Sequence, residues 1–182
     1  GTLSGGVFIS ADNGTSWSSP RQAIFHEDQN YLVTMAYSMG RVHLICQETS
    51  PNNWTLEVYY AYSDDWGATW STTKVLSDDA IDHSTWPSIA ASNDGRLIAT
   101  WYDYKYGSGH GGFTGDILYR ISTDNGSHWG PEMRLTNNQE GTSSRAYIAG
   151  DKIGIIWEDS RDGFFHSELF YSESIDTGRT WS

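Results

Sequence analysis

An all-β chain assembled from repeated four-stranded antiparallel units is predicted by three features of the sequence. An eight-residue pattern recurs four times, apolar alternation of strand type lies between its copies, and no stretch carries a convincing helical period. Composition agrees, with nine Trp, eleven Tyr and nineteen Gly among 182 residues. Acids outnumber bases by 23 to 11, and the formal charge of −12 argues against nucleic acid, whose phosphates need clustered Lys and Arg. Anionic membrane surfaces are disfavoured for the same reason. No apolar run approaches the ~20 residues of a membrane span. Length alone suits one ordinary domain with a real core. The single cysteine, Cys46, cannot form an internal disulfide.

The pattern is Ser-x-Asp-x-Gly-x-x-Trp. Its copies run from Ser10 to Trp17, Ser63 to Trp70, Ser122 to Trp129 and Ser174 to Trp181. The aspartates Asp12, Asp65, Asp124 and Asp176 are spaced by 53, 59 and 52 residues. Each copy reads as a stiff hairpin tip. Its Asp accepts hydrogen bonds from N–H groups a few residues ahead. Gly14, Gly67, Gly126 and Gly178 supply a positive φ that a Cβ would make costly. Trp17, Trp70, Trp129 and Trp181 fold beneath the turns as anchors. Asn-Gly at 13–14 and 125–126 is a strong hairpin signal in its own right. Using these aspartates for catalysis or metal would strand the turn N–H groups, so their role is structural.

The strands follow in order. Two precede and follow the first box, near residues 7–10 and 20–24. The next unit has Leu32–Tyr37, Arg41–Cys46, a strand through Tyr60, and Thr73–Leu76. Its successor has Ser88–Ala91, Arg96–Trp101, a strand through Tyr119, and Glu132–Leu135. The last has Arg145–Ala149, Lys152–Trp157 and a strand through Tyr171. Val42, Leu44 and Cys46 share one face, matched by Leu97, Ala99 and Trp101 and by Ile153, Ile155 and Trp157. Cys46 is thus a buried packing residue. Units of four antiparallel strands, repeated at this interval, are the blades of a β-propeller; a β-solenoid uses shorter repeats.

One propeller region therefore covers residues 1–182. Residues 1–25 hold the last two strands of a preceding blade, 26–77 and 78–136 are blades, and 137–182 is a blade lacking its fourth strand. About three blades with thirteen strands do not close a ring, and open strand edges are rarely tolerated. The expectation is an excerpt of a longer propeller, or a subunit completed by a neighbour's strand.

In such meanders the boxes share one end with the tight turns between first and second strands. Longer loops occupy the other end, and function is expected there. Trp54, Trp86 and Tyr102 could stack on sugar rings, while Asp103, Arg145, Asp159 and Arg161 could bond hydroxyls. Three uses of this acidic face stay open. The charges are solvated, with Arg161 pairing to Asp159 or Asp162; or the face binds a neutral glycan or protein; or loop carboxylates hold Ca²⁺ through oxygen ligands. Beyond Ca²⁺ no cofactor is implied. The histidines at 26, 43, 83, 110, 128 and 166 lack metal spacing, and the glycine run 107–112 is not a phosphate loop. Sequons start at Asn13, Asn53 and Asn125, and Asn53, in a loop, is the best glycosylation candidate if the protein is exported.

The boxed turn resembles the Asp-box, or BNR repeat, of sialidases and related propellers, over essentially the whole chain. The stretch from Trp157 to Asp162, leading into Leu169–Tyr171 and the last box, is similar to many-bladed extracellular proteins of sialidase-like type. The resemblance implies a β-propeller in an extracellular or cell-surface setting. It does not by itself imply activity, since Asp-boxes also occur in non-catalytic propellers. Sialidases clamp the substrate carboxylate with an arginine cluster, use a Tyr–Glu pair as nucleophile and an Asp as acid/base. Their Arg-Ile-Pro-type motif ahead of the first box is absent here. Only Asp28 stands at a plausible loop position for the acid/base, and no Tyr is assigned as nucleophile. An acidic loop face also runs against an anionic sugar. Two functions follow. The first is a non-catalytic module that binds a glycan or protein surface, or builds an assembly with further blades or neighbouring subunits. The second is a piece of a sialidase or other glycoside hydrolase whose catalytic residues lie outside the chain.

Overall fold

The computed structural model describes residues 6–23, 31–51, 54–77, 82–107, 115–137, 141–159 and 166–182. Asp28, Asn53 and Arg161 lie outside these. Every described pairing is antiparallel. Strands β1 (Gly6–Val7) and β2 (Arg21–Gln22) form a hairpin around the first box. A four-stranded meander follows, with β3 (Tyr31–Ser38), β4 (Arg41–Thr49), β5 (Leu56–Ser63) and β6 (Lys74–Val75). A second comprises β7 (Ser84–Ala91), β8 (Leu97–Asp103), β9 (Asp116–Ser122) and β10 (Met133–Arg134). The last sheet has β11 (Gly141–Ala149), β12 (Lys152–Asp159) and β13 (Glu168–Ser174).

The first strand of each meander is innermost, and β7 packs against both β3 and β11. Neighbouring sheets therefore bury both faces of the strands between them. Ile45, Val58, Tyr60 and Leu76 meet Ile89, Ala99, Trp101 and Leu118 at the first joint. Ile98, Tyr102, Ile117 and Tyr119 meet Ile153, Ile155 and Trp157 at the second. Cys46 is buried with Leu44, Tyr59 and Ala61, and burial pushes its thiol pKa up to about 12. It is a packing residue without thiolate chemistry.

Each box closes on left-handed residues that suit a tight hairpin turn. Asn13, Trp66, Asn125 and Thr177 have φ near +60°, and each is followed by a positive-φ glycine. The carboxylate accepts the N–H four residues on, from Ser16, Thr69, His128 and Thr180, at 2.8–2.9 Å. The serine two residues earlier donates to the same carboxylate and accepts the glycine N–H. These bonds hold Asp12 and Asp65 near pKa 2, chiefly through Ser16 and through Thr69. Trp70, Trp129 and Trp181 pack into the joints. Trp17 does not; it is 62 % exposed.

The inner strands start earlier than the alternation predicts. Strand β7 begins at Ser84 rather than Ser88, and β11 at Gly141 rather than Arg145. Pro87 cannot donate a ladder bond, which reads in sequence as a strand boundary. The chain instead passes it as a bulge between Thr85 and Ser88.

Candidate functional site: the cleft between the inner strands

The boxes and the short inner turns lie at one end of the sheets, and the starts of β3, β7 and β11 lie at the other. There the inner strands diverge around a cleft of about 130 Å³ lined by Leu32, Val33, Thr34, Trp86, Pro87 and Arg145. Bulges build it. In β3 and β7 two residues oppose one on the neighbouring strand, Leu32–Val33 across from Cys46 and Trp86–Pro87 across from Trp101. Leu32 and Trp86 adopt φ of +51° and +55°. Such values are uncommon for large residues, and they turn both side chains out of the ladder toward the cleft. Trp86 is 45 % exposed and Leu32 42 %.

Arg145 stands on β11, exposed, and its guanidinium donates to the carbonyl of Ser144 at 2.8 Å. It forms no ion pair with a carboxylate among the described residues. In a chain of charge −12, an arginine left to solvent beside an indole is a contact poised for a polar ligand.

The other predicted ligand contacts sit elsewhere. Trp54 is 75 % exposed on the loop after β4 and does not line the cleft. Tyr102 is 3 % exposed and stacks edge-on with Tyr104 inside the second joint. Asp103 is buried; its carboxylate accepts Ser84 Oγ at 2.9 Å, Trp101 Nε1 at 3.0 Å and Lys105 N–H at 3.0 Å. Burial raises its pKa despite those donors. Asp159 is likewise buried and accepts Trp157 Nε1 at 3.2 Å.

A finding absent from the sequence pattern explains these acids. Asp103 faces Asp116 across β8 and β9, and Glu48 faces Glu57 across β4 and β5. Directly opposed residues share a face, so each pair would repel if left bare. Asp116 is met by Arg134 at 2.7 Å and Thr136 Oγ1 at 2.8 Å. Glu57 accepts Thr55 Oγ1 at 2.9 Å and Ser77 Oγ at 2.5 Å. Arg134 also stacks over Tyr106 at 4.1 Å, and Lys105 pairs with Glu132. Asp103, Asp116 and Glu57 thus brace the hairpin bases rather than coat the loop face. No group of three or more His, Cys, Asp or Glu suited to a metal occurs among the described residues.

Of the sequons, Asn13 is exposed, whereas Asn125 is engaged: its Oδ1 lies 3.1 Å from His43 Nε2. A Tyr–Glu contact exists at Tyr171 Oη and Glu173 Oε2, 2.6 Å apart, but on β13 and outside the cleft. Leu32, Val33, Thr34 and Pro87 were missed as lining residues. The one signal for them was a proline interrupting an otherwise strand-like run.

No curated protein matches the chain. Solved structures do, at low identity. A Hadza microbial sialidase matches over 97 % of this chain and 39 % of its own, with 19 % identity and a TM-score of 0.68. The K499G mutant of NanB sialidase from Streptococcus pneumoniae matches over 96 % and 27 %, with 19 % identity and a TM-score of 0.63. A protein of unknown function from Dyadobacter fermentans matches over 88 % and 55 %, with 15 % identity and a TM-score of 0.64. The chain thus spans less than two fifths of either sialidase. At these identities the matches establish the fold, an open run of propeller blades. The model of the BNR repeat-like domain matches residues 2–153, most of the sequence, and the chain belongs to that sialidase-like BNR family.

Proposed function

We propose that this chain is the ligand-binding part of an extracellular BNR propeller that takes a glycan at the cleft between its inner strands, without catalysis. The observation that carries this reading is the cleft itself, with Trp86 half-exposed and Arg145 free of any described carboxylate. Trp86 offers a flat apolar face to a sugar ring, and Arg145 offers donors to its oxygens. Most glycoside hydrolases use two carboxyl groups flanking the bond, and sialidases replace the nucleophilic one with a tyrosine. The described lining residues of the cleft include neither.

A glycan array followed by calorimetry tests the proposal. Trp86→Ala and Arg145→Ala are each expected to weaken any hit by about tenfold, the size of one stacking or charge-assisted contact. No hit from any glycan class would sink it. The alternative is a piece of a sialidase or other glycoside hydrolase completed by residues outside this chain. It is favoured by the sialidase matches, of which this chain spans only a part. Turnover of fluorogenic sialosides or neutral glycosides by the full-length product would decide for it.

A further inference from the structure

We infer that Gln47 is a positioning residue, holding Trp86 in the cleft from the neighbouring sheet. The inference rests on the cleft being a binding site, and its own chemistry can be judged separately. At the β7 bulge, two residues face the single Trp101. Pro87 has no N–H, so the bulge leaves one backbone donor without a ladder partner, that of Trp86. Trp86 is also in a conformation its sequence opposes. A φ of +55° crowds the Cβ of any L-residue, and a following proline favours extended backbone instead.

Gln47 answers both demands. It lies on β4, is 7 % exposed, and its Oε1 accepts the Trp86 N–H at 2.8 Å. The bond crosses from one sheet to the next and satisfies the orphan donor. It also fixes the peptide plane that sets the direction of the indole. A bulge that relaxed toward extended backbone would turn alternate side chains to the other face of β7 and take the indole off the cleft. The counterpart of Gln47 on the next sheet is Tyr102, since each pairs with the residue just before the inner-strand bulge, Tyr31 and Thr85. The amide clamp therefore belongs to this joint. Strain held by a dedicated partner beside an exposed aromatic is the arrangement expected of a binding position.

The test uses the chain labelled with fluorotryptophan, its Trp86 line identified by Trp86→Phe. In the unmutated chain the Trp86 amide should exchange slowly with solvent although it lies in a bulge. Gln47→Met keeps the length and packing of the side chain but removes the acceptor. It should speed Trp86 amide exchange about tenfold, the weight of one hydrogen bond, and shift the Trp86 fluorine line. Exchange at Ala90 and Ile98 should stay unchanged. Gln47→Glu retains an acceptor oxygen and should restore both signals. Fast Trp86 exchange in the unmutated chain, or no response to Gln47→Met, overturns the inference. A response that Gln47→Glu does not rescue overturns it as well. Lactose and sialyllactose are then titrated against the same fluorine line. A shift that weakens about tenfold in Gln47→Met supports the positioning role. No shift with either sugar counts against the glycan reading of the cleft, while the exchange data still judge the Gln47 bond.

Discussion

At the joint between the β3–β6 and β7–β10 sheets, Tyr60 lies against the third box with its ring edge-on to Trp129 at 5.1 Å. At the next joint Tyr119 takes the same place against the fourth box, edge-on to Trp181 at 5.2 Å. The rings match and the hydroxyls do not. Tyr119 Oη donates to the carbonyl of Gly178 and accepts Trp181 Nε1, both at 2.9 Å. Tyr60 Oη instead bonds His43 Nδ1 at 2.8 Å, and His43 Nε2 reaches Asn125 Oδ1 at 3.1 Å. That set assigns the neutral tautomer with its proton on Nε2. It leaves Trp129 Nε1 buried without a hydrogen-bond partner among the described residues. Ile98 stands where His43 does, since both face an alanine on the inner strand. One joint is thus held by a titratable polar chain and the other by a closed hydroxyl bridge, on one backbone plan.

The largest expected difference is steric. A Cβ on Gly126 would overlap Tyr60 Oη, and Tyr60 is fully buried and tied to His43. A Cβ on Gly178 would overlap Ile121 Cδ1, the end of a flexible side chain beside an open groove of about 300 Å³. Both glycines have φ near +80°, so an alanine is strained at either. Gly126→Ala should cost about 3–4 kcal/mol and Gly178→Ala about 1–2 kcal/mol in urea unfolding. Equal costs would mean that the hydroxyl arrangement does not stiffen the first joint.

This contrast also marks what the sequence could show. The four boxes and the alternating strands between them were legible, because turn chemistry and a period of two are local properties. The box Asp and Gly carry their roles in their spacing. The hydroxyls of Ser10, Ser63, Ser122 and Ser174, which bridge Asp to Gly, repeat just as regularly. The joints were not legible, because His43 and Ile98 become equivalent only once strands pair and sheets stack. The candidate site divided the same way. Trp86 and Arg145 came together across two strands, whereas Tyr102, Asp103 and Asp159 turned inward. Asp103 read as a loop charge because its partner Ser84 becomes a neighbour only when β7 pairs with β8. Pro87 hid the bulge by imitating a strand start.

Acid should separate the joints next. Burial lowers the His43 pKa to about 4, outweighing its bond to Asn125. The ordinary value is 6.5, so as pH falls the unfolded chain takes up this proton first. Stability is then full above about pH 6.5, declines toward pH 4 and loses a few kcal/mol over that window. His43→Ile copies the second joint. It should cost about 1–2 kcal/mol at pH 7, where two hydrogen bonds are lost. Near pH 4 it should match or exceed the parent. Parallel unfolding curves for the two proteins from pH 7 to pH 4 would show that His43 does not titrate the joint.

The smallest effects belong to the boxes at the two joints, at the position four residues after the aspartate. Thr180 Oγ1 donates to Asp176 Oδ2 at 2.6 Å, while His128 Nδ1 meets Asp124 Oδ2 at the same distance. Burial works against the Asp124 carboxylate, but the amide and ring of His128 and the hydroxyl of Ser122 still hold it near pKa 2. A carboxylate depressed on folding contributes above its ordinary pKa of 3.8 and loses that contribution as pH falls through about 2. Asp124→Asn should therefore cost about 1 kcal/mol at pH 7, and the cost should vanish toward pH 2. His128 is different in kind. Its side chain is 90 % exposed, so its pairing with Asp124 is screened by water and salt. His128→Thr restores the hydroxyl found in the other boxes and keeps the backbone N–H that the carboxylate accepts. It should change stability by no more than about 0.5 kcal/mol at pH 7. A larger loss on removing His128 would mean that the imidazole, rather than the turn amide, fixes this box against Tyr60.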